Sequence, residues 1–112
     1  MNDRRITGVV VDAGHGGEDP GAISGNLKEK DFNLQAALYM YERLNELGIP
    51  AVLTRTNDST LTRNERINNA LNAFGKDSNV ILISNHINAG GGEGSCGKLT
   101  FFEIIMILKT IY

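Results

Sequence analysis

Three short apolar runs constrain this chain more than anything else in it: Ile6–Asp12, Ala51–Arg55 and Val80–Ser84. The first is β-branched and leaves through glycines, as a buried strand of a parallel sheet does. Between the runs lie helical patterns. Across Asp31–Leu47, Leu34, Leu38, Tyr41 and Leu44 fall on one face with Ala37 between them. Gly48 and Pro50 end that segment. "TRNE" at Thr62–Glu65 has the form of a capping box, and Ile67, Ala70, Leu71 and Phe74 follow at helical spacing up to Gly75. The order is βαβαβ. It predicts an α/β fold, a three-layer arrangement with a mostly parallel sheet flanked by helices. The final stretch, "GKLTFFEIIMILKTIY", suits either a strand or a short buried helix.

At 112 residues, 41% hydrophobic and 21% charged, the chain reads as one soluble globular domain, residues 1–112. Its formal net charge of −2, with no basic block, argues against nucleic acid as a partner. The apolar C-terminal stretch is interrupted by Glu103 and Lys109, so it does not read as a membrane span. The N-terminus has no recognisable signal peptide. The lone Cys96 cannot form an internal disulfide.

The chemistry concentrates at two strand ends. "DAGHGGEDPGA" presents His15 among glycines just past the first strand, and "SNHINA" presents His86 just past the third. In a parallel sheet both positions fall on the carboxyl edge, where open α/β folds place ligands. They read either as unrelated loop histidines or as two ligands of one metal. Glu29, at the start of the first helix, is either a third ligand or a plain helix-start acid favoured by the dipole; Asp31 competes as the capping residue. Two imidazoles, a carboxylate and an open position form the ligand set of a hydrolytic zinc site. Asp12 is either a loop-capping acid or a group that orients a liganding histidine. A phosphate-binding role for the glycines fits less well. No G-K-[ST] follows, the spacing does not lead straight into a helix, and Glu18 and Asp19 would repel an anion.

Five stretches, "VVVDAGHGGEDPGA", "LKEKDFNLQAAL", "AVLTRTND", "LTRNERINNALN" and "ILISNHINAG", resemble the zinc-dependent N-acetylmuramoyl-L-alanine amidases in order and spacing. The resemblance covers roughly Ile6 to Gly94. It implies zinc (Zn2+) held by His15, Glu29 and His86, and peptidoglycan as partner and substrate. It also implies hydrolysis of the amide between N-acetylmuramic acid and L-alanine, by water activated on the zinc. The point of action would be the cell wall or the extracellular space. Domains of this family run beyond this length and take a catalytic glutamate from a last strand. "SCGKLTFFEIIMILKTIY" does not match that continuation, so the domain is expected to be incomplete at its C-terminus. Glu93 and Glu103 are the only later acids, and no catalytic residue is assigned. The alternative is a non-catalytic zinc- or cell-wall-binding domain.

Overall fold

The computed structural model describes residues 5–75, 77–88 and 103–110. The elements follow as β1 (Gly8–Ala13), a small hairpin of β2 (Ile23–Ser24) and β3 (Leu27–Lys28), α1 (Glu29–Glu46), β4 (Ala51–Leu53), α2 (Arg63–Phe74), β5 (Val80–Asn88) and β6 (Glu103–Thr110). The main sheet has the order β4-β1-β5-β6. β1 pairs in parallel with β4 and β5, and β6 runs antiparallel to β5. The expected βαβαβ core is present, and the C-terminal stretch contributes a strand rather than a helix. Cys96 and Glu93 lie outside the described residues.

β1 is the central strand of the parallel part, and all six of its residues are buried. Burial on both faces explains its unbroken apolar run. Alternate side chains then divide between the two faces. Val9, Val11 and Ala13 pack with Ala37 of α1, joined by Leu34, Met40 and Leu44. Val10 packs on the other side with Val80 and with Ala70, Ala73 and Phe74 of α2. The helices therefore cover opposite faces, which makes three layers. Chain direction accounts for this. From β1 the first crossover goes to β4 on one side, and the second passes back over β1 to β5 on the other. Crossovers of one hand moving in opposite directions place their helices on opposite faces.

Both helices differ in detail from the sequence expectation. α1 begins at Glu29, two residues before Asp31, and its N-cap Lys28 makes no side-chain cap bond. Asp31 is an exposed first-turn acid rather than the cap. At the other end, Gly48 adopts φ +74° and Ile49 N donates to Leu44 O at 2.9 Å, the closure that a glycine at this position permits. In α2 the cap is as expected, with Glu65 N donating to Thr62 Oγ1 at 3.1 Å. The core-facing stripe is rotated, however. Ile67 and Leu71 remain 45% and 37% exposed, while Arg66, Ala70, Ala73 and Phe74 turn to the sheet. Two tertiary contacts set this rotation. Arg66 is drawn to the Asp12 carboxylate, and the Phe74 ring occupies the space above Gly8, where any Cβ would collide with it.

The long loop after β1 contains the β2–β3 hairpin. Gly25, with φ +57°, sits at the first central position of its two-residue turn, as a type II′ hairpin requires.

Candidate metal centre

The order β4-β1-β5 reverses at β1, so a crevice forms at that strand's carboxyl end. The loop carrying His15 leaves β1 there, and α1 begins there with Glu29. His86 is not past the third strand, as its sequence context suggests. It lies within β5, because the ladder to β6 keeps the backbone extended as far as Asn88. The three residues are brought together. One ligand atom from each of His15, Glu29 and His86 lies within 4.8 Å of the others. Glu29 Oε2 is 3.1 Å from His15 Nε2 and 3.2 Å from His86 Nδ1. The imidazoles meet edge to face, with centroids 5.0 Å apart and planes at 87°.

Glu29 is only 4% exposed, so burial works against its charge. Hydrogen bonds outweigh that effect. Asn33 Nδ2 donates to Oε2 at 3.0 Å, Ile87 N to Oε2 at 3.1 Å, and Ala22 N to Oε1 at 3.1 Å. Together they hold the carboxyl below the usual carboxylate range, as an ionised group. On the far side of His15, Nδ1 lies 2.7 Å from Asp19 Oδ2. A carboxylate can only accept, so Nδ1 carries the proton of that bond. In the neutral ring, Nε2 then presents a lone pair to Glu29 Oε2, acceptor against acceptor. Such a contact is favourable only with a cation or proton between the two atoms. The donor set, two imidazole nitrogens and a carboxylate oxygen without thiolate, fits a catalytic zinc ion.

The loop that presents His15 is held from several directions. His15 has φ +61°, the one non-glycine positive φ among the described residues, a conformation costing on the order of 1–3 kcal/mol. Two arginines fasten the carbonyls around it. Arg55, 4% exposed, donates to Ala13 O at 3.1 Å and Gly14 O at 3.0 Å. Arg66 donates to Ala13 O at 2.7 Å and His15 O at 3.0 Å. Asn33 adds a bond to Gly14 O at 3.1 Å. Further along, Lys30 Nζ donates to Gly17 O at 2.9 Å and to Asp58 Oδ2 at 2.7 Å, and Asp58 Oδ1 accepts from Gly17 N at 2.7 Å. Gly17 itself has φ +59°, so the glycine there serves backbone shape. Gly14 serves space instead, since a Cβ on it would overlap the His86 ring.

Asp12 takes a different role from the histidine-orienting one considered above. Its carboxylate accepts from Thr54 Oγ1 at 2.8 Å, Ser84 Oγ at 2.6 Å and Arg66 Nη1, and it touches no imidazole. As a residue of even number on β1 it points to the α2 face, away from Glu29. It ties β1, β5 and the residue that follows β4 to α2. The group that meets a histidine is Asp19, which sequence spacing did not single out. Arg55, Arg66 and Asn33 were likewise missed as supports. The only signal in sequence was polar residues at positions that a purely apolar packing pattern would fill.

The N-acetylmuramoyl-L-alanine amidase family profile matches residues 9–109. The uncharacterized protein YqiI of Bacillus subtilis (strain 168) is 38% identical over 95 residues, covering 85% of this chain and 44% of that protein. The sporulation-specific N-acetylmuramoyl-L-alanine amidase of the same organism is 43% identical over 88 residues, covering 77% of this chain and 33% of the relative. The catalytic domain of the amidase CwlV from Bacillus (Paenibacillus) polymyxa var. colistinus superposes with a TM-score of 0.65 at 37% identity, over 78% of this chain and 48% of that one. A three-layer α/β domain with this crevice, matched along nearly its whole length, belongs to the N-acetylmuramoyl-L-alanine amidase family. The chain spans less than half the length of these two curated relatives.

Proposed function

We propose that this chain is a zinc-dependent hydrolase domain acting on peptidoglycan, and that it cleaves the amide between the lactyl group of N-acetylmuramic acid and L-alanine. The observation that carries the reading is the convergence of His15, Glu29 and His86 within 4.8 Å at the carboxyl edge of β1. Family membership supports the bond and the substrate. His15, Glu29 and His86 would hold the metal, which when bound supplies a Lewis acid and a lowered pKa for water. The chain's own residues prepare the site. Asn33, Ala22 N and Ile87 N keep Glu29 anionic without neutralising it, so its charge remains for a cation. Arg55 and Arg66 hold the His15 loop by its carbonyls, which fixes the ring's position before substrate arrives.

Amide hydrolysis also needs a group that takes a proton from water and delivers it to the leaving nitrogen. Glu103 stands in backbone register with Asn88, two residues beyond His86. That register makes Glu103→Gln the first substitution to test for the proton-carrying role. Among the described residues no helix is long and apolar enough to cross a membrane. Action at the cell wall belongs to the same proposal.

Metal content of the purified chain and release of stem peptides from peptidoglycan test the reading together. Near-stoichiometric zinc, lost in His86→Ala, with peptide release that stops in the same variant, is the expected result. Zinc at full occupancy in His86→Ala would overturn the metal assignment. Zinc binding without any peptide release would point to the non-catalytic alternative.

A further inference from the structure

The His15 loop doubles back on itself within four residues. Gly16 and Asp19 exchange both backbone hydrogen bonds, Gly16 N to Asp19 O at 2.8 Å and Asp19 N to Gly16 O at 3.1 Å. This tight return brings the Asp19 side chain beside the His15 ring. The carboxylate is itself anchored, since Oδ1 accepts from Gly21 N at 3.1 Å and Pro20 restricts the backbone between them. Its other oxygen, Oδ2, is 2.7 Å from His15 Nδ1. The opposite ring nitrogen, Nε2, faces Glu29. The ring therefore bridges two carboxylates, one exposed and fixed by its own turn, the other buried at the start of α1.

We propose that Asp19 is the positioning residue for His15: it holds the proton on Nδ1 and aims the Nε2 lone pair at the space shared with Glu29 and His86. The inference rests on the metal reading above for its consequence, but the bond itself is independent of any metal. An imidazole can coordinate through either nitrogen, and on a loop with φ +61° at its own residue the ring has no helix or strand to orient it. A carboxylate on one nitrogen removes both ambiguities at once. Partners of this kind typically change metal affinity by about 10- to 100-fold.

Two measurements on the whole chain test this. The first is nitrogen-edited NMR of the metal-free protein, which reads a slowly exchanging proton on His15 Nδ1. That signal is expected in the wild type, lost in Asp19→Ala and kept in Asp19→Asn, whose amide oxygen still accepts. Asp58→Asn loosens the same loop at Gly17 without touching the ring, and should keep the signal. The second is zinc affinity by chelator competition. It should fall about 10- to 100-fold in Asp19→Ala and recover most of the way in Asp19→Asn. The proposal is overturned if Asp19→Ala keeps the Nδ1 proton, or binds zinc within roughly twofold of wild type. It is also overturned if Asp58→Asn loses the proton equally, since general loop order would then hold the ring. A wild-type chain that takes up no zinc would refute the metal reading alone, and the Nδ1 proton would still decide the role of Asp19.

Discussion

Arg66 of α2 reaches across to Asp12 at the end of β1, and the same guanidinium donates to the carbonyls of Ala13 and His15. One side chain thus joins a helix, the central strand and the loop that presents His15. Arg66→Ala leaves a buried carboxylate without its cation, takes this donor from His15 O and leaves Ala13 O with Arg55. The site is partly solvated, with Arg66 side-chain exposure of 21%, so the cost should be about 2 kcal/mol rather than the full value for a buried pair. Arg66→Lys should recover part of this by keeping the charge while losing the fork. Urea unfolding of the three proteins measures both differences. A loss in Arg66→Ala no larger than that of an exposed helix substitution would contradict the assignment.

The Asp12 carboxyl makes stability depend on acid. Burial pushes its pKa up, but hydrogen bonds from Ser84, Arg66 and Thr54 with the Arg66 charge outweigh this, so it is held below the usual aspartate value. A carboxyl depressed in the folded state adds stability above its unfolded value of about 3.9, and that stability is lost as pH falls through the lower folded value. Asp12→Asn should therefore be less stable than wild type near neutrality, and the difference should shrink below about pH 4. Denaturant midpoints across that range read the effect; a gap that stays constant down to acid would show that the charge of Asp12 plays no part.

Asn33 is 2% exposed and donates to both Gly14 O and Glu29 Oε2. Asn33→Leu keeps much of the volume and removes both bonds. It should cost about 1–3 kcal/mol and weaken zinc binding about 10-fold or more, since Glu29 loses one of its orienting donors. Chelator competition and thermal unfolding on the same sample separate the two effects. Unchanged zinc affinity would mean that Ile87 N and Ala22 N suffice to orient Glu29.

Two glycine substitutions should differ in kind. Gly14→Ala puts a methyl group where the His86 ring lies, so zinc affinity should fall sharply, by at least about 10-fold. Gly48→Ala meets nothing within 4 Å and strains only a φ of +74° at the end of α1, so it should cost about 1 kcal/mol of stability and leave zinc affinity alone. A titration in which both variants bind zinc like wild type would remove Gly14 from the site's support.

The strand runs and the glycine-closed helix were legible in the sequence because their causes are local. β-branched apolar residues favour strands wherever they are packed, and Gly48 supplies a positive φ whatever lies beyond it. The Thr62 cap is equally local, a hydroxyl three residues from the amide it accepts from. The rotation of α2 was not legible. Ile67 and Leu71 match the helical period as well as Ala73 does, and the choice between faces was made by Asp12 and Gly8 on another element. The reach of β5 through His86 depended on β6, a partner far along the chain.

By itself the sequence determined the alternation of strands and helices, and with it the edge on which residues after each strand must emerge. That follows from backbone periodicity and from short crossovers of one hand, both properties of the chain's own order. It thus brought His15, Glu29 and His86 to one end of the sheet as candidates. Only the tertiary structure decided which acid meets which base. Asp12 and Asp19 are both aspartates near His15 in sequence, three residues before it and four after. Pleating turns Asp12 away to Thr54, Ser84 and Arg66, while the tight return at Gly16 carries Asp19 back to the ring. Hydrogen bonds depend on direction within a few ångströms, and sequence distance carries no direction once the backbone leaves a regular helix or strand.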